Sequence, residues 1–433
     1  MNNNNYIKEL LDFQDENILI NNISEFNGLI QISICMAKKI FSCPYCSSIN
    51  VYNHGYYNRS LMYMNIGDKH SVINFKQRRL ICKNCRKTFN EPFSLADKSS
   101  RISLKLQEQI KESFKKKQSF KDISSNFDIS STETINIFKE NIYDYRCDLS
   151  RVLCIDEFKA STNMGKYALI IGDPISGNIL DILPSRTQDT ILYYFQKIPE
   201  SKRNQVEYIV TDLFEPYRTM IRALFPRSIH IADRFHWIKL TSEAFNKIRI
   251  KRMNYYLSLA KTTIDKESKS NYNHFANELK KHYKLLLSNR TAHDEWYYDQ
   301  FISKENNLTL EGKIEELINQ DDILEEAYHL SQELYRIAKY SNEDNCKQNI
   351  LEWCTKVIHS EFTIPELETT ALTYRRWIKE ISNSFIIDKQ TYRRFTNGFI
   401  EGKNNFCKVI KRIGFGYNDF DILRSKIIQS NQK

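Results

Sequence analysis

Two apolar runs that each close on an aspartate constrain this chain more than any other feature. They are Arg151-Val-Leu-Cys-Ile-Asp156 and Val206-Glu-Tyr-Ile-Val-Thr-Asp212. Each reads as a strand that delivers a carboxylate to its end. Between them, 167–172 and 178–183 read as two more strands around the turn Asp173-Pro-Ile-Ser-Gly177, and 188–197 reads as a helix. Short apolar runs alternating with helices from about residue 151 predict an α/β domain beginning near Ser150.

The order strand, strand, strand, helix, strand is that of an RNase H-like core. In that architecture the first and fourth strands are neighbours, so Asp156 and Asp212 are expected side by side at one end of the sheet as hard oxygen ligands. Two such carboxylates repel unless a cation lies between them. A pair of Mg²⁺ or Mn²⁺ ions ~3.5–4 Å apart is the expected occupant, suited to phosphodiester chemistry. The best source of a third carboxylate is Asn397-Gly-Phe-Ile-Glu401-Gly-Lys-Asn-Asn-Phe-Cys-Lys408. Helical spacing places Glu401 on one face with Asn404, Asn405, Lys408 and Arg412, a polar and basic stripe suited to a DNA strand. Residues 392–412 hold six Lys or Arg and one acid, Glu401, for which a surface salt bridge is the competing explanation. Glu157 should point to the opposite face from Asp156. Asp233, after a short strand at 228–232, either supports the site together with His236 or caps the helix that follows.

Upstream, Cys43-Pro-Tyr-Cys46 and Cys82-Lys-Asn-Cys85 form two knuckles able to hold one structural zinc. The 35 residues between them require a β hairpin going out and back, with a turn at Ile66-Gly67-Asp68-Lys69; His54 and His70 are alternative ligands. Arg78, Arg79, Lys83, Arg86 and Lys87 surround the second knuckle and suit phosphate. Residues 98–121 carry eight Lys or Arg against two Glu, including Lys115, Lys116 and Lys117. A short helix from Phe120, a turn at Phe127-Asp128-Ile129 and a capping box from Ser130 to Glu133 predict a helix-turn-helix, with a plain helical linker as the alternative. Its second helix would offer Thr132, Thr134 and Asn136 to the major groove, although the usual turn glycine is missing.

The expected fold is therefore multidomain α+β and α/β. Its parts are an N-terminal arm (1–40), a zinc-binding β unit (41–95), a helix-turn-helix (98–145), an RNase H-like mixed sheet with helices (150–240 and 391–425) and a long all-helical insertion (241–390). Trp237, Trp296, Trp353 and Trp377 are candidates for base stacking or for core packing. The net charge of +10, from 63 Lys and Arg against 53 Asp and Glu, favours a polyanionic partner. No run approaches the ~18 apolar residues of a membrane span, and the Asn-rich start lacks a secretory pattern, so a cytoplasmic, nucleoid-associated protein with no membrane partner is expected.

The set Ile155-Asp156-Glu157, Thr211-Asp212, Asp233-Arg234-Phe235-His236, Asn397-Gly398, Glu401-Gly402, Asn404-Asn405, Lys411-Arg412 and Gly414-Phe415-Gly416-Tyr417 resembles the ISL-three-type transposases of bacterial insertion sequences. The likeness runs over roughly residues 40 to 430. It implies a zinc-binding segment, a helix-turn-helix and an RNase H-like domain whose final Glu follows a helical insertion. Carried over by position, it makes Asp156, Asp212 and Glu401 the catalytic, metal-holding triad. It further implies metal-dependent cleavage at the 3′ ends of the element and strand transfer into target DNA. The partners would be double-stranded DNA, as terminal inverted repeats and target, and a second copy of the chain or more. The competing reading is a zinc-ribbon and helix-turn-helix regulator with an inert RNase H-like domain.

Overall fold

A computed structural model describes residues 3–98, 100–142, 148–292, 295–303 and 308–431. The chain divides into two compact units: the described residues up to 142 together with 409–431, and those from 148 to 408.

The first unit opens with helix α1 (Asn3–Leu10) and a five-stranded mixed sheet. Its strands are β1 (Ile18–Phe26), β2 (Leu29–Met36), β3 (Val51–Ile66), β4 (Lys69–Cys82) and β5 (Thr88–Asn90). The order is β1-β2-β4-β3, with β5 paired to β4 and β2 running parallel to β4. The segment expected to be an arm is thus an integral hairpin. Alternation at Ile30, Ile32 and Ile34 turns one face inward, and Ile32 and Ile34 are buried with Leu61, Tyr63, Ile73 and Phe75. The long β3–β4 hairpin turns at Gly67, whose φ of 62° suits a residue without Cβ.

Three helices follow: α2 (Leu104–Phe114), α3 (Phe120–Phe127) and α4 (Ser131–Lys139). Ser119 and Asp122 form a reciprocal capping box at the start of α3, and Ser130 caps α4. Between α3 and α4, Asp128 adopts the left-handed conformation (φ 52°, ψ 43°), filling the place a turn glycine usually takes. The terminal helix Phe420–Asn431 packs on this group. Lys426 is fully buried and donates to the carbonyls of Phe114 (2.7 Å) and Lys116 (2.9 Å), meeting the free acceptors at the end of α2. The catalytic segment expected to run to residue 425 therefore leaves the second unit after Lys408.

The second unit is built on a mixed sheet of order β10-β9-β6-β7-β8. Its strands are β6 (Val152–Thr162), β7 (Gly165–Asp173), β8 (Asn178–Leu183), β9 (Tyr208–Thr211) and β10 (Ile229–Ala232). The first three form an antiparallel meander; β9 lies parallel to β6 and β10 parallel to β9. Helices α5 (Gln188–Gln196), α6 (Glu200–Arg203) and α7 (Glu215–Leu224) connect the strands. Leu153, Ile155, Leu169 and Ile171 pack against Ile191, Phe195, Tyr217 and Met220 of α5 and α7. Helix α8 (Arg234–Thr262) starts at the sheet and runs unbroken into the insertion, so the boundary expected at residue 241 falls inside a helix.

The insertion has its own core around Trp237, Phe245, Tyr328, Trp353, Tyr374 and Trp377. Among its described residues it is helical apart from the short antiparallel pair Phe301–Ser303 and Leu308–Thr309, which departs from the all-helical expectation. It is joined to α7 by a buried bidentate pair in which Arg218 Nε and Nη2 donate to Glu380 at 3.0 and 2.7 Å.

Candidate functional site

The parallel pairing of β6 with β9 ends at Cys154 opposite Val210, and continuing that register sets Asp156 level with Asp212. β6 itself does not stop at Asp156: it continues to Thr162 against β7, so Asp156 lies where the sheet narrows and not at a strand end. Asp156 accepts hydrogen bonds from the Glu157 N–H (2.7 Å) and from Asn404 Nδ2 (2.6 Å). Burial, followed by the nearby charge of Asp212, pushes its carboxyl up to about 6. Glu157 lies on the other side of the strand, held by Arg186 and by the Tyr217 hydroxyl (3.0 Å).

Asp212, Asp233 and His236 bring a ligand atom each within 4.8 Å of one another. Asp233 caps α8, accepting from the His236 N–H (3.3 Å), and its buried carboxylate also takes the His236 ring Nδ1 (2.8 Å) and the Asn397 N–H (2.9 Å). Asp233 is therefore a helix cap that also holds Asn397 to the start of α8. His236 Nδ1 is also 2.6 Å from Asp212 Oδ1, an ion pair when the ring is protonated. Asp212, then Asp233, raise the His236 imidazole to about 10.

The helix Gly398–Ile413 lies over this region because Gly172 of β7 has no side chain. A Cβ there would stand 2.6 Å from a Phe399 ring carbon and 2.8 Å from the Ile400 methyl. Ile400, Cys407 and Ile410 are buried, while Glu401, Asn405, Lys408 and Arg412 are exposed along the opposite side. Asn404 leaves the expected stripe: it turns inward to Asp156 and is buried. Glu401 is one helical turn from Asn404 and lies outside the close cluster of Asp212, Asp233 and His236. Asn397, quoted in the sequence motif without a role, is buried and bridges the Ile155 carbonyl (3.3 Å) and Asp233. Its position just before the helix was the available signal.

These residues fit divalent cations. The buried amide oxygens Asn397 Oδ1 and Asn404 Oδ1 have no hydrogen-bond donor, and Asp156 and Asp212 repel each other. Uncompensated hard oxygens of this kind are what Mg²⁺ or Mn²⁺ takes as ligands.

The second metal-competent cluster is Cys43, Cys46, Cys82 and Cys85. Pairing of Val51 with Cys82 at the hairpin base returns the second knuckle to the first. The Cys43–Cys85 and Cys46–Cys82 sulfurs stand 3.5 and 3.6 Å apart. That is too long for a disulfide and close to the ~3.8 Å edge of a tetrahedron with ~2.3 Å Zn–S bonds. His70 instead meets Asn65 (3.1 Å), and His54 is exposed on β3, so neither joins the four sulfurs.

In the helical part of the first unit, Lys115, Lys116 and Lys117 are exposed between α2 and α3, and Thr132 and Asn136 are exposed on α4. Thr134 corrects the expectation. It is fully buried and its hydroxyl donates to the Ser130 carbonyl at 3.1 Å, so it faces the core and not a groove. Trp237, Trp353 and Trp377 are buried in the insertion core, which settles them as packing residues; the Trp296 side chain lies outside the described residues. Among the described residues no helix is long and apolar enough to cross a membrane.

Comparison with known proteins identifies the family. Residues 153–427 match a sequence family described as transposase, and residues 40–85 match one described as the zinc-finger of transposase IS204/IS1001/IS1096/IS1165. The chain is 22% identical over 402 residues to the transposase for insertion sequence element IS1001 of Bordetella parapertussis, covering 92% of this chain and 90% of that protein. With the transposase match spanning more than half of its length and a four-cysteine zinc ribbon in place before it, the chain belongs to the ISL3-type transposases.

Proposed function

We propose that this transposase binds the ends of its insertion sequence, cleaves their 3′ ends and joins them to target DNA at one acidic site formed by Asp156, Asp212 and Glu401. The observation that carries the proposal is the parallel register of β6 and β9, which carried two residues beyond Cys154 and Val210 sets Asp156 level with Asp212, with the buried amide oxygens of Asn397 and Asn404 lacking a donor. The unit around them is read as an RNase H-like core on its strand order, the meander β6-β7-β8 followed by two parallel strands.

Asp156 and Asp212, with Glu401 from the helix above, would hold two Mg²⁺ or Mn²⁺ ions. Such ions, when bound, activate the attacking oxygen and neutralise charge on the departing one. Asn404 fixes the Asp156 carboxylate through its amide, and Asp233 with Asn397 fixes the start of the Glu401 helix against the sheet. His236 holds a proton beside Asp212 and balances that carboxylate. Asn405, Lys408 and Arg412 offer hydrogen bonds and positive charge to a DNA backbone along the exposed face of the same helix. End recognition is assigned to α3 and α4 as a helix-turn-helix, with Thr132 and Asn136 toward the bases and Lys115, Lys116 and Lys117 toward phosphates. Because two ends must be joined, a dimer or larger assembly on DNA is part of the proposal.

The test is a plasmid carrying the element's ends, incubated with the protein and Mg²⁺ or Mn²⁺. Wild type is expected to cut at the 3′ ends, and Asp156→Ala to lose on the order of a thousandfold or more in rate. Equal cleavage by the two proteins removes Asp156 from the catalytic role.

A further inference from the structure

The first unit carries a surface that none of these roles uses. Over its first half β3 leaves the core, and residues 52–58 are exposed. Tyr52 and Tyr56 of this stretch are 47% and 55% exposed, and Tyr45 of the first cysteine knuckle is 55% exposed. A soluble surface rarely gathers so many aromatic rings without something to cover them. Beside them lies a cleft of ≈ 1370 Å³ lined by Tyr45, His54, Tyr56, Arg79, Lys98 and Arg101 among others.

The charge of this cleft points to one kind of occupant. Among the described residues that line it the one carboxylate is Glu91, and that group is already held by Arg78, whose Nε stands 2.8 Å away. Arg79, Lys98 and Arg101 are exposed. Next to the cleft, Lys87 sits over the Tyr45 ring at 4.7 Å and Lys83 over Tyr52 at 4.3 Å. A polyanion alone would need only the cations, and an apolar peptide only the rings. Rings interleaved with unopposed cations suit a chain with both phosphates and flat apolar faces, which is single-stranded nucleic acid. In a duplex the base faces are stacked on each other and the rings would have nothing to meet.

We propose that this cleft binds an unpaired DNA strand, with bases stacked on Tyr45 and Tyr56 and phosphates at Arg79, Lys98 and Arg101. The inference rests on the reading of DNA as substrate, because strand cleavage at an element end is what would present unpaired DNA to the protein.

The test is fluorescence anisotropy of the full-length, zinc-loaded protein with a labelled oligothymidylate, and with an unlabelled duplex of equal length as competitor. Unlabelled oligothymidylate is expected to displace the labelled strand from wild type, and the duplex, assigned to α3 and α4, to displace it less well. A Tyr45→Ala, Tyr56→Ala variant should weaken binding by roughly 5- to 150-fold per ring lost, and the Tyr45→Phe, Tyr56→Phe variant should bind as wild type. The proposal is overturned if the alanine pair binds like wild type, if the phenylalanine pair falls as far as the alanine pair, or if the duplex competes equally. Should the alanine pair fail to retain zinc, Lys98→Ala, Arg101→Ala replaces it, and unchanged affinity and salt dependence there overturn the proposal. The cleft is read from oligothymidylate binding by the tyrosine variants and the catalytic assignment from cleavage by Asp156→Ala, so a failure of one and a failure of the other are distinguished.

Discussion

His230 shows how a single residue beneath the site registers its surroundings. It sits on β10 with its Nε2 2.8 Å from the Thr211 hydroxyl, one residue before Asp212. Burial, then the charges of Arg218 and Arg222, push its pKa down to about 3, so the ring is neutral in the folded protein. Unfolded, it titrates near 6.5, and between those values the unfolded chain binds the extra proton. Stability therefore rises with pH across that window and falls on acidification, by up to about 1.4 kcal/mol per pH unit for this group. Denaturant unfolding at about pH 7 and about pH 5 should show a loss that His230→Gln reduces; an equal loss in both proteins would remove this residue from the acid sensitivity. Asn404 and Asn397 act at the same scale, each spending an amide on a backbone or carboxylate oxygen that shapes the acidic cluster.

At the scale of elements, α4 separates a residue that packs from one that is exposed. Thr134 is buried with its hydroxyl bonded back to Ser130, whereas Asn136 is exposed. Thr134→Val should leave binding to the terminal repeats within about twofold and cost about 1 kcal/mol of stability through the lost hydrogen bond. Asn136→Ala should keep stability and cost about 1–3 kcal/mol of discrimination among repeat sequences. Gel-shift titrations on matched and altered repeats compare the two, and the reverse pattern would show that α4 does not face DNA. The zinc knuckles form an element of their own kind: metal analysis should give about one zinc per chain, lost in Cys43→Ala, Cys46→Ala, and a metal-free folded wild type would rule the site out.

Much of this scale was legible beforehand, because strands β7 and β8, the turn at Asp173 and the cap at Ser130 are local signals. The strand pair at 18–36 was missed although Ile30, Ile32 and Ile34 alternate, since the polar residues around β1 hid the period. Thr134 was misplaced because a helix start says which residues come first and not which face is buried.

For the whole molecule, the organisation follows from where long-range contacts fall. The parallel register of β9 beside β6 brings the two aspartates level, a placement that follows from strand order, whereas the continuation of β6 past Asp156 to Thr162 was not read from sequence. The inward turn of Asn404 and the clasp between Asp233 and Asn397 join residues more than 160 positions apart, and no local pattern encodes them. The insertion contributes a separate core of aromatic residues, fixed to the sheet domain through Arg218 and Glu380. All of this serves one claim, that Asp156, Asp212 and Glu401 hold the divalent ions of strand cleavage. Glu401 is the member that stands most apart in the structure, exposed on its helix, and so it is the one to test. Its replacement by cysteine changes a hard oxygen ligand to a thiolate, which accepts Mn²⁺ far more readily than Mg²⁺. Cleavage of element ends by Glu401→Cys should be abolished in Mg²⁺ and substantially restored in Mn²⁺, while wild type cuts in both; a variant that cuts like wild type in Mg²⁺ would contradict the account.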